Sequence, residues 1–163
     1  MELCHALEKL RTERAQSDNV ALIETSGKKV LSDQDKVEVS YRQVYQWQRE
    51  LREVLCLGGG ADEWVVAINL MPFSMEETAT MLLMTEQRHW TYVPVDIQLP
   101  VAKQLSLLQS AGARRLVTSA SSELVKVLVA DEDPKVTTIK SWTLDSTMNP
   151  FPSVQVVALP SGW

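Results

Sequence analysis

Trp90-Thr91-Tyr92-Val93-Pro94-Val95-Asp96 decides the fold of this chain. Aromatic and β-branched side chains make residues 91–95 a strand, which closes at a proline and a carboxylate. A helix is expected on either side of it. Before it, Ser74 with Glu77 forms a capping box. Glu76 and Glu77 complement the dipole of a helix carrying Ala79, Met81, Leu82, Leu83 and Met84. After it, Pro100 stands near a helix start, where its missing N–H costs nothing. Val101, Leu105 and Leu108 line one face of that helix, and Gly112 suits its C-terminal cap.

Further out, Trp64 to Leu70 is a nearly continuous apolar run, as expected of a strand buried on both faces, and Pro72 ends it. Leu116 to Thr118 is the next strand, followed by a short helix over Ser122 to Val129 and a strand over Val136 to Ile139. Upstream, Ser40 with Gln43 opens a helix whose buried stripe is Val44, Trp47, Leu51, Val54 and Leu55. Val20 to Ile23 and Val37 to Val39 read as an antiparallel pair joined by a polar loop. Leu3, Leu7 and Leu10 mark an amphipathic N-terminal helix. The fold class expected is α/β, a parallel sheet with flanking helices. Residues 1–163 form one unit: an N-terminal helix over 1–19, an α/β core over 20–140 and an irregular tail over 141–163. Within that tail, Val154 to Leu159 has the composition of one more strand.

The chain has 163 residues, is 45% hydrophobic and 23% charged, and carries a net charge of -5. Such an acidic chain has no basic patch for nucleic acid, and the pair Arg114-Arg115 reads as solvated at a strand edge. Cys4 and Cys56 form no CxxC unit, and His5 and His89 are isolated, so no zinc site is expected. Free thiols suit a reducing compartment, and cytoplasm is the location expected. The acidic start Met1 to Glu8 is unlike a secretory signal. No apolar run approaches the roughly 18 residues of a membrane span.

Gly58-Gly59-Gly60 follows a helix and precedes a strand, the reverse of a dinucleotide loop, and reads as a helix stop. His89, beside Trp90, reads as structural. Asp96 sits at a strand's C-terminal end, where α/β proteins place ligands, but a loop or cap hydrogen bond is the expected role. Asp131-Glu132-Asp133 before Pro134 reads as a solvated turn. Gly-x-Ser-x-Gly is absent, and the five tryptophans do not interleave with a basic stripe. No catalytic, cofactor-binding or metal residue is therefore assigned.

Four stretches in order resemble the adenylate-forming enzymes, the AMP-binding superfamily of acyl-CoA synthetases and nonribosomal adenylation domains. Val39-Ser40-Tyr41-Arg42-Gln43-Val44 resembles that family's "TYxEL" helix start. Trp64 to Leu70 with Pro72, Ser74 and Glu76 resembles "V-x-I-x-L-x-P-N-S-x-E". Thr91 to Asp96 with Pro100 resembles "A-Y-V-P-L-D-x-x-x-P". Leu105 to Arg114 with Leu116 to Thr118 resembles "L-x-x-x-L-x-x-S-G-A-R-x-V-L-T". Phe73 stands where the family has asparagine. Arg88-His89-Trp90 stands where it has a small-residue turn, so the His-Trp pair must alter packing or turn outward.

The resemblance implies a partial N-terminal subdomain of an ATP-dependent, carboxylate-activating ligase. The family's complete enzymes use ATP and Mg and act on small carboxylic or amino acids. Its phosphate loop, "T-S-G-T-T-G-x-P-K-G", has no counterpart here. Thr118-Ser119-Ala120-Ser121-Ser122 lacks both glycine and lysine. The C-terminal domain is missing too, so the chain alone is expected to bind no cofactor and to be inactive. The alternative is a free-standing, non-catalytic α/β interaction module. The resemblance also suggests self-association through uncovered apolar surface, after Leu116 and over Val154 to Leu159.

Overall fold

The computed structural model describes residues 9, 12, 13, 15–25, 36–56, 64–87, 89–119, 121–130, 141–144 and 154–160. Lys9, Thr12, Glu13 and Ala15 are helical, within the expected N-terminal helix. Strands β1 (Val20–Thr25) and β2 (Lys36–Ser40) form the expected antiparallel pair, with an irregularity between Val20 and Leu22. Helix α1 (Tyr41–Cys56) follows directly. Its capping box is complete: Gln43 N–H donates to Ser40 Oγ at 3.3 Å, and Ser40 N–H donates to Gln43 Oε1 at 2.9 Å.

The main sheet contains β3 (Trp64–Asn69), β4 (Trp90–Pro94), β5 (Arg115–Ser119), β6 (Ser141–Leu144) and β7 (Val154–Ala158), in the spatial order β4-β3-β5-β7-β6. Helices α2 (Met75–Glu86), α3 (Val101–Ser110) and α4 (Glu123–Ala130) connect successive strands. β3 pairs in parallel with both β4 and β5, as its two-sided apolar run requires. Val66 and Ile68 face a core built with α1 and α2, through Trp47, Leu51, Leu55, Ala79 and Leu83. Ala67 and Leu116 face a second core with Leu108 of α3 and Leu124 and Leu128 of α4. The sheet is thus sandwiched between two helical layers. β4 is an edge strand, which suits Pro94 because the outer side needs no N–H.

The structure corrects the expected parallel sheet in one respect. β7 runs antiparallel to both β5 and β6, so the sheet is mixed. Only residues 145–153 separate β6 from β7, and a parallel connection needs roughly a dozen or more residues. Residues 141–163 are therefore no irregular tail, because they supply two strands. Nor is Val154 to Leu159 uncovered: Val154, Val156 and Val157 are fully buried between the helical layers, with β5 on one side and β6 on the other. That stretch is not the apolar surface expected to drive self-association.

A second correction concerns Arg115. Rather than solvated, it is buried at the start of β5. Its Nε donates to the carbonyl of Leu55 at 3.2 Å, in the last turn of α1, where a cation complements the helix dipole. Burial lowers its pKa from the ordinary arginine value, and its interaction with Cys56 acts in the opposite direction. Gly58 to Gly60, Asp131 to Asp133 and the strand expected over Val136 to Ile139 lie outside the described residues.

Two residues hold a left-handed backbone. Gly112, just after α3, has φ 62, and a Cβ added there would meet nothing within 4 Å. Phe73, in the turn between β3 and α2, has φ 63 and is 95% exposed. Asparagine tolerates this conformation better than an aromatic residue, which accounts for the asparagine in the resembled motif. Expected outcomes follow for urea denaturation. Gly112→Ala lowers stability by about 1 kcal/mol through backbone strain alone. Phe73→Asn raises it by about 0.5–1 kcal/mol, since no buried contact is lost.

Candidate functional site

β3 leads through α2 to β4 on one side, and β4 leads through α3 back across β3 to β5 on the other. The connections reverse direction between β3 and β5. The carboxyl ends of two strands that diverge in this way leave a crevice, the usual ligand position in an open α/β sheet. A cleft of about 500 Å³ occurs there. Its walls include Met71, Ile97, Leu99, Pro100, Val101 and Leu124; its floor and rim include Asn69, Gln104, Thr118, Ser119, Ser121 and Ser122.

The floor is organised by Asn69, the last residue of β3 and 2% exposed. Its Nδ2 donates to the carbonyl of Val95 at 3.0 Å and to Gln104 Oε1 at 3.1 Å. Its Oδ1 accepts from Thr118 Oγ1 at 3.1 Å and from Ser122 Oγ at 3.5 Å. The carbonyl of Val95 can only accept, so the orientation of the amide is fixed by its partners. Gln104 Nε2 in turn donates to the carbonyls of Leu99, at 2.6 Å, and Ile97, at 3.4 Å. No buried side-chain nitrogen or oxygen among the described residues lacks a partner.

The rim is a strand-to-helix turn, where phosphate cradles occur in other proteins. Here Ser119 Oγ and Ser121 Oγ bond each other at 3.0 Å, and Ser122 N–H donates to the carbonyl of Ser119 at 3.0 Å. Among the described residues, no lysine or arginine lines the cleft. Glu123, the one charged residue of the described lining, is paired with Lys126. These residues do not suit the phosphates of ATP with its Mg, which require cations or free N–H donors.

Of the residues singled out from sequence, Thr118, Ser119, Ser121 and Ser122 line the cleft, and the others lie elsewhere. Asp96 is exposed and accepts Gln98 N–H at Oδ1, 2.8 Å away, a local turn that does not line the cleft. His89 is exposed beside the N-terminal end of β4, the opposite end of the sheet from the cleft. It turns outward, while Trp90 packs partly against the core of α1 and α2. Cys56 is an exposed free thiol, and Cys4 and His5 lie outside the described residues. Sequence reasoning did not single out Asn69 or Gln104. The available signal was Asn69 itself, the single polar residue in the run Trp64 to Leu70. Among the described residues, no group of acidic, histidine or cysteine side chains could hold a metal ion, and no helix is long and apolar enough to cross a membrane.

No protein-family model and no curated protein matches this chain. Solved structures do. The N-terminal subdomain of Klebsiella oxytoca NpsA is 25% identical with a TM-score of 0.51, over 71% of this chain and 28% of that one. Holo-AB3403, a four-domain nonribosomal peptide synthetase bound to AMP and glycine, is 22% identical with a TM-score of 0.52, over 71% of this chain and 8% of that one. IdnL1 is 20% identical with a TM-score of 0.53, over 71% of this chain and 22% of that one. The chain spans less than a third of the length of each. Its fold is similar to all three, and the likeness to the NpsA N-terminal subdomain supports a relation to the adenylate-forming superfamily.

The cleft floor has a measurable consequence. Asn69→Leu leaves the Val95 carbonyl, Gln104 and Thr118 short of partners in a buried site. The expected loss is on the order of 2–4 kcal/mol in urea denaturation. Adding Thr118→Val recovers part of it, because removing both members of a buried polar pair costs less than removing one.

Proposed function

We propose that this chain corresponds to the N-terminal subdomain of an ATP-dependent, carboxylate-activating ligase, and that alone it forms no acyl-adenylate. The observation that carries the reading is the agreement between four ordered motifs and the likeness to the NpsA N-terminal subdomain at 25% identity. In the complete reaction a carboxylate oxygen attacks the α-phosphorus of ATP. Pyrophosphate leaves with the electron pair of the broken P–O bond; a thiol then attacks the acyl carbon, forming a thioester and releasing AMP and a proton. Charge develops on the phosphate oxygens, so such a site needs backbone donors, cations and Mg. The sequence has no phosphate loop, and the described residues of the cleft offer no cation. The Tyr92-Val93-Pro94-Val95-Asp96 form leans toward amino-acid-activating relatives. The exposed thiol of Cys56 suits a reducing compartment, the cytoplasm.

A second reading, a non-catalytic α/β interaction module, is favoured by the closure of the sheet. β7 and β6 cover the flank of β5, and the described buried polar side-chain atoms are all satisfied. One assay addresses both readings. Carboxylate-dependent exchange of pyrophosphate into ATP is expected to be absent for the purified chain across a panel of amino and fatty acids. Exchange that persists through further purification would refute the inactivity of the chain. If a longer chain containing this sequence and a phosphate loop also shows no exchange, the interaction module takes precedence.

A further inference from the structure

We infer that the recess between α1 and α2 binds inorganic phosphate as its singly protonated dianion. Tyr45, Gln48, Arg49 and Arg52 stand at i, i+3, i+4 and i+7 on α1, so all four belong to one face of that helix. With Leu83 of α2 they line a recess of about 210 Å³. It lies in the layer of α1 and α2, across the sheet from the helices α3 and α4 that wall the cleft. Gln48 is 4% exposed, and its Nε2 donates to the carbonyl of Ala79 at 2.8 Å, which ties the two helices together beside the recess.

The charges of the recess call for an anion. Arg49 and Arg52 are like charges one turn apart, an unfavourable arrangement on a bare helix. The chain holds 21 acidic residues against 16 lysines and arginines, yet among the described residues neither arginine has an ion pair or a hydrogen bond. Glu50 and Glu53, their neighbours in sequence, do not line the recess. Two guanidinium forks and the Tyr45 hydroxyl supply donors for three oxygens of one phosphate, and two positive charges balance its two negative ones. Gln48 distinguishes phosphate from other dianions. Its Nε2 faces a carbonyl, so Oε1 is the acceptor left over. No described residue donates to Oε1, and no buried side-chain oxygen among the described residues lacks a partner, so Oε1 opens to the recess that Gln48 lines. An acceptor there repels a bare anionic oxygen and is satisfied by a P–OH group. Hydrogen phosphate carries that proton; sulfate and the dianion of a phosphate monoester have the same charge without it.

Isothermal titration calorimetry of the full chain with inorganic phosphate, at about pH 8 and low ionic strength, tests this assignment. The expected result is one phosphate per chain with a dissociation constant on the order of millimolar, weakening as salt is added. Sulfate and phenyl phosphate are expected to bind about five- to tenfold more weakly, the loss of one hydrogen bond. Arg49→Gln and Arg52→Gln, both at exposed positions where the fold tolerates the change, each weaken phosphate binding by about tenfold or more. Thermal melting of each variant verifies that the fold is kept. Lys103→Gln removes the same charge from an exposed position on α3 and leaves binding unchanged. A chain that takes up no phosphate well above millimolar concentration overturns the inference. So does phosphate binding that survives the Arg49→Gln, Arg52→Gln double variant. Sulfate or phenyl phosphate binding as tightly as phosphate overturns it too, the first by showing general attraction of anions and the second by showing a site for phosphate esters.

Discussion

The side-chain amide of Asn69 is the interaction on which this structure depends. An amide buried at the end of a central strand carries a large desolvation cost unless all its groups are paired. Here both donors and the carbonyl oxygen have partners, drawn from four parts of the chain: the end of β4, α3, β5 and the start of α4. Gln104 extends the network to the carbonyls of Ile97 and Leu99. These lie in the irregular connection between β4 and α3, whose backbone would otherwise lack partners. One residue thus sets the relative positions of three strand ends and the shape of the cleft between them.

A fully satisfied network is also chemically quiet. Among the described residues, every buried side-chain donor on the cleft floor is already engaged, and the hydroxyls of Ser119 and Ser121 bond each other. The cleft has the position of a ligand site in an α/β sheet but the groups of a structural joint. A subdomain that contributes a rigid platform, while charge-stabilising groups come from other segments, would have this character.

The far side of the sheet follows a different constraint. β5 ends the run of parallel strands, and its open flank is covered by an antiparallel strand from beyond α4. Val156 and Val157 point to opposite cores, so β7 belongs to both helical layers, as a central strand does. Arg115 adds a link at the other end of β5 by donating to the last turn of α1. Both features depend on groups that meet only after the sheet has assembled.

The helices and the three parallel strands were legible in the sequence because their signals are local. A stripe of Val44, Trp47 and Leu51, a serine three residues before its capping partner, or a glycine after a helix acts within one or two turns. The identity of those elements, their order and the left-handed cap at Gly112 were therefore determined by the sequence itself. Tertiary structure alone decided the direction of β7, the burial of Arg115 and the partners of Asn69. The bonds from Asn69 to Val95, Gln104 and Thr118 span 26, 35 and 49 residues. No periodicity encodes a contact between residues so far apart, because it exists only once the sheet has chosen its strand order.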